Sequence, residues 1–229
     1  MKTRIFSLLM IIAITGSVTF AQSTEKAKMS FGIIGGVNLQ NLNGKDAGGD
    51  KLTNSMIPGF HIGLNVQIPV APQFYFQPGL MFSTKGAKDT YTVLGTTITQ
   101  TTKLSYLEMP LNLVYRGALG NGFIMLGFGP YVGYAIGGKV LTKGGSLSQD
   151  NKITFKNTVE TGDDPTMPYY KALDAGGNIF AGFQMASGIF AQLDTQLGLI
   201  KINPKNNRNS DDKSSVKNTG FGVSLGFRF

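Results

Sequence analysis

Large apolar residues alternate with small or polar ones along most of this 229-residue chain, and that alternation leaves few folds open to it. A period of two is typical of an extended strand whose two faces meet different surroundings. Most of the alternating segments are long enough to cross a bilayer as tilted strands, which takes about 9–11 residues. The alternating segments are 30–40, 58–69, 73–83, 103–117, 122–138, 178–184, 191–199 and 220–229. The sequence therefore predicts an all-β fold of eight strands.

The connections between these segments alternate in length. Short turns separate four long polar segments, which cover residues 41–57, 84–102, 139–173 and 203–218. Short periplasmic turns and long external loops are the layout of outer-membrane barrels, and an even number of strands places both termini on the periplasmic side. We therefore predict an eight-stranded antiparallel up-and-down transmembrane β-barrel with an OmpA/OmpX-like architecture.

The two faces of the strands differ in a way that indicates which one meets lipid. One face carries Phe, Leu, Ile and Val in strand after strand, and the other carries Gly, Asn, Gln and a few charges. An eight-stranded barrel has an interior just wide enough for its own side chains. We expect the bulky face to contact acyl chains and the glycine-rich face to line the lumen. The alternative, a soluble carrier with the bulky face inside, does not explain the alternating connections.

The N-terminus indicates export. Met1 to Arg4 carries two positive charges, and residues 5–14 form an almost unbroken apolar run. A small residue, Ala21, precedes the polar residues with which the remaining chain begins. This is the pattern of a cleavable signal peptide, and the run is too short for a membrane-spanning helix. We predict a signal peptide over 1–21, a short periplasmic segment over 22–30 and a barrel domain over 31–229. With no cysteine in the chain, disulfides play no part in its fold.

The C-terminus ends in an alternating strand, and Phe227 and Phe229 form a terminal aromatic pattern that resembles the signal read by the barrel assembly machinery. The segments 106–116 (YLEMPLNLVYR), 129–134 (GPYVGY), 174–177 (DAGG) and 225–229 (LGFRF) resemble the PorT-like outer-membrane β-barrel family. The resemblance covers nearly the whole chain after residue 21. It implies an eight-stranded outer-membrane barrel and no single shared activity.

Five charged residues on the glycine-rich face are candidates for a charge network inside the lumen: Glu108, Arg116, Asp174, Asp194 and Arg228. Bare charges are costly there, so ion pairs and hydrogen bonds are the stable solution. Glu108 and Arg116 lie about 26 Å apart along one strand and cannot pair with each other. We expect these charges to fill and stiffen a plugged barrel; a path for protons or small ions is the alternative.

Other candidate sites are weaker. His61, the single histidine, is predicted near the outer rim of the second strand, where it could act as a general base, but no neighbouring Ser or Asp completes a dyad. The acidic pairs 163–164 and 211–212 have the oxygen ligands that calcium prefers without the spacing of a calcium loop. The net charge of +8 is scattered rather than gathered on one face. We predict no cofactor, no metal and no nucleic-acid partner.

These features together predict a small structural or interaction barrel that is not an enzyme. Its expected partners are outer-membrane lipid, the assembly machinery, and an extracellular or envelope protein that contacts the four long loops. The first alternative is a barrel that binds or passes a small solute or ion. The second is an outer-membrane enzyme centred on His61.

Overall fold

A computed structural model describes residues 28–229 of the chain. The predicted signal peptide, 1–21, and most of the predicted periplasmic segment, 22–30, lie outside the described residues. Within 28–229 there is no helix long and apolar enough to span a membrane.

The described residues form thirteen β-strands. They are β1 (Ser30–Lys45), β2 (Ile57–Ala71), β3 (Phe74–Val93), β4 (Thr96–Leu119), β5 (Gly122–Gly144), β6 (Leu147–Lys152), β7 (Thr154–Phe155), β8 (Thr158–Val159), β9 (Tyr169–Tyr170), β10 (Leu173–Met185), β11 (Ile189–Gly198), β12 (Lys205–Asn206) and β13 (Ser215–Arg228). Strands β1 to β5, β10, β11 and β13 form an antiparallel ring that closes through the β1–β13 and β5–β10 pairs. The predicted all-β fold with eight barrel strands is confirmed.

The wall of the ring has an apolar outside and a mostly polar inside, as the alternation predicts. Phe128 and Leu225 are 61% and 65% exposed on the outer surface. Their chain neighbours Gly127 and Ser224 face the lumen, where Ser224 is fully buried. The ring is closed, so each of the eight strands has a hydrogen-bonded neighbour strand on both sides.

The segment 84–102 was predicted as a loop, and this was wrong. Here β3 and β4 continue beyond the apolar part of the wall as one long hairpin, joined by a turn at Leu94 and Gly95. Both turn residues have positive φ, 48° and 76°, which is the conformation of the tight turn that suits a twisted hairpin. Above the apolar part of the wall both faces of these strands are polar, so the sequence carries no alternation to mark them.

The other three long segments also contain strands. In the segment 139–173, β5 extends to Gly144 and pairs with β6, and the two-residue strands β7 and β9 pair with each other. In 203–218, β12 pairs with β8. In 41–57, β1 extends to Lys45. Together these elements form a compact structure at one end of the barrel, which we call the cap.

Two apolar clusters fill the lumen at different heights. The lower cluster, nearer the short turns and both barrel termini, consists of Ile34, Val114, Met125, Phe180 and Phe190. The upper cluster lies under the cap and includes Leu42, Leu104, Tyr106, Ala135, Val140, Ile153 and Ile202. Ile153 and Ile202 come from cap segments, so the cap closes the barrel from above. The polar layer between the clusters contains the candidate site.

Candidate functional site

A buried ion triad occupies the middle of the lumen. Lys85 Nζ lies 2.6 Å from Glu108 Oε1 and 3.1 Å from Asp174 Oδ2, and all three side chains are at least 98% buried. These residues belong to β3, β4 and β10, so the triad connects opposite parts of the wall. One cation with two carboxylates leaves a formal charge of −1, which the surrounding donors must stabilise.

Hydrogen-bond donors from three further positions complete the triad. Tyr131 OH and Asn218 Nδ2 donate to Asp174 Oδ2 at 3.1 and 2.9 Å. Gln196 Nε2 donates to Glu108 Oε2 at 3.0 Å. The ammonium of Lys85 also lies 4.4 Å from the centroid of the Tyr131 ring, and 5.3 Å from that of Tyr106. The cluster ties together six of the eight barrel strands.

A second polar cluster lies below the triad and contains His61. Its Nε2 atom lies 2.8 Å from Ser224 Oγ, and Ser224 Oγ in turn donates to Asp194. Gln192 donates to the other oxygen of Asp194. The serine hydroxyl donates its hydrogen to Asp194, so with the Nε2–H tautomer of His61 it accepts a hydrogen bond from the histidine, the reverse of a serine activated by a histidine base.

The prediction that His61 lies near the outer rim was wrong. The side chain is 93% buried inside the lumen, beneath the ion triad. The rim is higher than predicted because β3, β4 and β5 continue well beyond the apolar part of the wall. A cavity of about 80 Å³, enough for a few waters, lies beside His61 and Asp194.

Arg116 and Arg228 lie apart from both clusters, at the lower end of the lumen. The guanidinium carbon of Arg116 is 3.8 Å from the centroid of the Phe123 ring. Arg228 Nη2 donates to Asn65 Oδ1 at 2.9 Å and stacks over Phe190. Among residues 28–229 no carboxylate lies within 4 Å of either arginine. The five predicted charges therefore belong to three separate places, and only Glu108 and Asp174 share a partner.

Polar contacts fix the cap from inside. Asp163 accepts a hydrogen bond from Lys156, which together with the Glu160 backbone amide lowers the pKa of that carboxyl. Arg208 reaches across from the neighbouring segment and donates to the carbonyl oxygens of Glu160 and Asp163. Asn207 adds two hydrogen bonds to the carboxylate of Glu160. These contacts explain why segments predicted as long loops have a defined shape.

The acidic pairs considered for calcium take part in these local contacts. Asp164 accepts from the backbone and side chain of Thr166, which lowers its pKa. Asp212 accepts from Asn206 and from the Ser214 backbone. In the part of the chain that the structure describes, no three His, Cys, Asp or Glu side chains are grouped to hold a metal ion.

Sequence reasoning missed Lys85 and Ser224, the residues that organise the two lumen clusters. Lys85 continues the inward parity of Gln77, Met81 and Ser83, so extending the third alternating segment by two residues would have found it. Ser224 was placed on the inward face, but its contact with His61 depends on the registers of two strand pairs. In those registers both residues are partners of Gly36 in β1.

Comparison with known proteins gives a family and weak structural likenesses. Residues 20–229 match the profile of a family described as outer membrane protein beta-barrel domain. Ail, the attachment invasion locus protein of Yersinia pestis, is 13% identical in its complex with the heparin analogue sucrose octasulfate; the match covers 89% of this chain and 100% of Ail, with a TM-score of 0.40. Neisserial surface protein A is 11% identical over 88% of this chain and 98% of its own, with a TM-score of 0.41. No curated protein matches the chain.

Proposed function

This chain belongs to the outer membrane protein beta-barrel domain family, which places it in the outer membrane, and we propose that it acts there as a closed barrel whose cap is an interaction surface. The single observation that carries the proposal is the filling of the lumen. Two apolar clusters and a buried ion triad occupy it along its axis. The part that remains available for a partner is the cap and the outer wall.

The chemistry of the lumen supports a bracing role rather than transport. A conduction path needs sites that an ion can enter and leave. Here Lys85 is paired with both carboxylates, fixed donors bond Glu108 Oε2 and Asp174 Oδ2, and apolar side chains lie above and below the triad. The cavity of about 80 Å³ lies between these layers. It favours the alternative of a small bound ion or water cluster more than that of a pore.

Planar-bilayer recording tests the closed lumen. Purified, refolded protein should insert and give no sustained current steps in potassium chloride at voltages of either sign. A variant that thins the plug beside the triad, Tyr106→Ala with Tyr131→Ala, is the positive control, because it removes two buried rings that lie next to the Lys85 ammonium. Regular conductance steps from the wild-type barrel would contradict the proposal.

Complementation separates a role of the cap from a role of the lumen. We expect a cap-surface variant, with Lys51, Lys205 and Lys213 all changed to Glu, to fail to rescue the phenotype of a deletion strain. A lumen variant, with Lys85→Met, Glu108→Leu and Asp174→Leu, keeps the cap and should rescue it. Rescue by the first and failure of the second, at equal surface levels, would place the function in the lumen instead.

We also propose that the barrel is not an enzyme. The direction of the Ser224 hydrogen bond, away from His61 and toward Asp194, supports this. His61 and Ser224 are also buried inside the lumen, away from the outer surface that meets lipid. His61→Ala should therefore leave the rescue of the deletion strain intact, and its failure with the barrel still folded would favour the alternative of an enzyme centred on His61.

Several finer features stay predictions of the sequence. We propose export through a signal peptide cleaved after Ala21, and recognition of Phe227 and Phe229 by the assembly machinery. An extracellular or envelope partner would contact the cap through 41–57, 84–102, 139–173 and 203–218. Membership of the PorT-like group rests on the sequence resemblance, and the OmpA/OmpX-like architecture on the strand count and the alternating lengths of the connections. Mass spectrometry of the mature N-terminus tests the cleavage site directly.

A further inference from the structure

Three lysines form a row across adjacent strands on the outer wall. In the strand registers Lys103 of β4 is the partner of Lys139 of β5, and Lys139 is in turn the partner of Lys152 of β6. All three side chains are exposed. Like charges directly opposite each other on neighbouring strands destabilise a sheet. The row therefore lowers the stability of the fold unless negative charge from outside the protein offsets the repulsion.

The protein supplies little of that negative charge itself. Asp150 pairs with Lys139 at 2.8 Å, and both side chains are about half exposed. Among residues 28–229 no carboxylate lies within 4 Å of the ammonium of Lys103 or of Lys152. The row thus keeps two positive charges without a carboxylate partner in the described part of the chain.

The row lies just beyond the apolar part of the wall. On β4 the exposed large apolar side chain nearest the row is Leu107, and on β5 it is Ile136. Lys103 lies four positions before Leu107 and Lys139 three positions after Ile136, which is about 10–13 Å along a strand and less across the tilted wall. That distance brings the row to the polar region that flanks the hydrocarbon core of a bilayer. Lysine side chains at such positions extend toward headgroups.

The same edge of the wall is basic elsewhere. On β13 Lys217 lies above the outward-facing Phe221, and Lys171 and Lys201 flank the upper ends of β10 and β11. The short turns at the lower edge contain no lysine or arginine. This asymmetry points to the leaflet that the long connections face, which is the outer one in the layout of outer-membrane barrels.

A groove next to the row offers space for more than a single ion. It has a volume of about 600 Å³ and is lined by the three lysines, by Asp150, which pairs with Lys139, and by Pro58 and Phe60. The groove exists because the β2–β3 ladder stops at His61 and Ser83. Beyond that point the Phe60 amide bonds the side chain of Thr84 at 2.9 Å instead of a backbone carbonyl. A ligand here would meet positive charge on one side and apolar surface on the other.

We propose that Lys103, Lys139 and Lys152 form a binding site for the phosphate of a phosphorylated lipid of the outer leaflet, whose acyl chains lie along Phe60 and Ile136. The inference rests on the outer-membrane location and on the orientation with the cap outside, and it does not need the lumen to be closed. Ammonium groups are strong partners for phosphate oxygens. Membrane-surface lysines each strengthen binding to anionic lipid by about fivefold.

Native mass spectrometry of the full mature chain, released from phosphatidylcholine nanodiscs, tests the site. The probes are bisphosphorylated lipid A and its dephosphorylated form, each added at a few mole per cent. Wild-type protein should retain the phosphorylated probe about tenfold or more above the dephosphorylated one. The row variant, with all three lysines changed to Gln, should lose that preference. A matched variant, Lys51→Gln, Lys205→Gln and Lys213→Gln, removes the same charge from the cap and should keep it.

Each alternative result has a definite meaning. Equal retention of the two probes by the wild-type barrel, or unchanged retention by a row variant that still shifts on an unboiled gel as a folded barrel does, would overturn the proposal. Displacement of the lipid by millimolar inorganic phosphate would show a site for free anions and would also overturn it. None of these results bears on the bilayer recordings or on the lumen variants, so failure of this site and failure of the closed-barrel proposal can be told apart.

Discussion

Lys85 has the largest individual effect on the charge balance of the lumen. Its ammonium contacts Glu108 and Asp174, and all three groups are removed from water. A buried ion pair is weak evidence for net stability, since desolvation offsets much of its Coulomb energy. Removing one partner is different, because the other charge is then left buried without compensation. Lys85 serves two carboxylates, so its loss would expose both to that penalty.

Lys85→Met should therefore lower the free energy of unfolding by about 3–5 kcal/mol. Urea unfolding of the barrel in lipid vesicles, followed by tyrosine fluorescence, measures the change. Adding Glu108→Leu and Asp174→Leu to Lys85→Met should recover most of the loss, because no charge then remains unpaired. A single variant as stable as the wild type would contradict the proposed bracing role of the triad.

Gln73 carries backbone strain in the turn that joins β2 to β3. Its φ is 65°, a left-handed conformation in the position after Pro72. A proline followed by a residue of positive φ is the arrangement of a type II turn, whose second central position prefers glycine. Gln73→Gly should raise stability by about 1 kcal/mol. Gln73→Val, which introduces a β-branched side chain, should lower the stability. The same unfolding assay measures both variants, and a Gly variant less stable than the Val variant would contradict the type II turn.

At the level of strands, the glycines of the inner face make room for aromatic rings. Phe180 of β10 lies across from Gly127 of β5, and Phe190 of β11 across from Gly226 of β13. A Cβ atom on Gly226 would lie 2.2 Å from the Phe190 ring and 2.4 Å from the Ile33 carbonyl oxygen. The lower cluster can therefore fill the lumen only because its cross-strand partners have no side chains.

Gly226→Ala should destabilise the barrel by about 1–3 kcal/mol, as overpacking of a filled core does. Gly137→Ala is the matched control, because its added methyl group would meet no atom within 4 Å. We expect the free energy of unfolding of the control to lie within about 0.5 kcal/mol of the wild-type value. Equal effects of the two substitutions, measured by urea titration in vesicles, would argue that the ring of Phe190 does not occupy this space.

The sequence predicts strands best where their two faces meet unlike surroundings. In the apolar part of the wall, lipid on one side and a narrow lumen on the other impose the alternation, and the strands were found there. The upper parts of β3 and β4 have polar surroundings on both faces, so their strand character left no periodic signal. The candidate site, too, was predicted only in part. Its inward-facing carboxylates were predicted, but their partners depend on strand register, which alternation does not determine.

In the molecule as a whole, the two faces of the barrel wall have different surroundings: hydrocarbon outside and a packed lumen inside. The outer wall exposes Phe, Leu, Ile and Val to hydrocarbon, which accepts them without the penalty of about 25 cal/mol per Å² that water would impose. The inner wall buries polar groups in hydrogen bonds, and the cap excludes water from above. The fold, the closed lumen and the proposed lipid site all depend on this assignment of the two faces.

Site-directed spin labelling along β11 measures that assignment directly, and the absence of native cysteine makes single-cysteine variants clean. Labels at Ala191, Leu193 and Leu197 in a vesicle-inserted barrel should collide frequently with oxygen, which concentrates in hydrocarbon. Labels at Gln192 and Gln196 should collide rarely with oxygen. Accessibility that alternates in this phase is the predicted result. The opposite phase, or oxygen accessibility with no period of two, would contradict a barrel whose apolar face lies in the membrane.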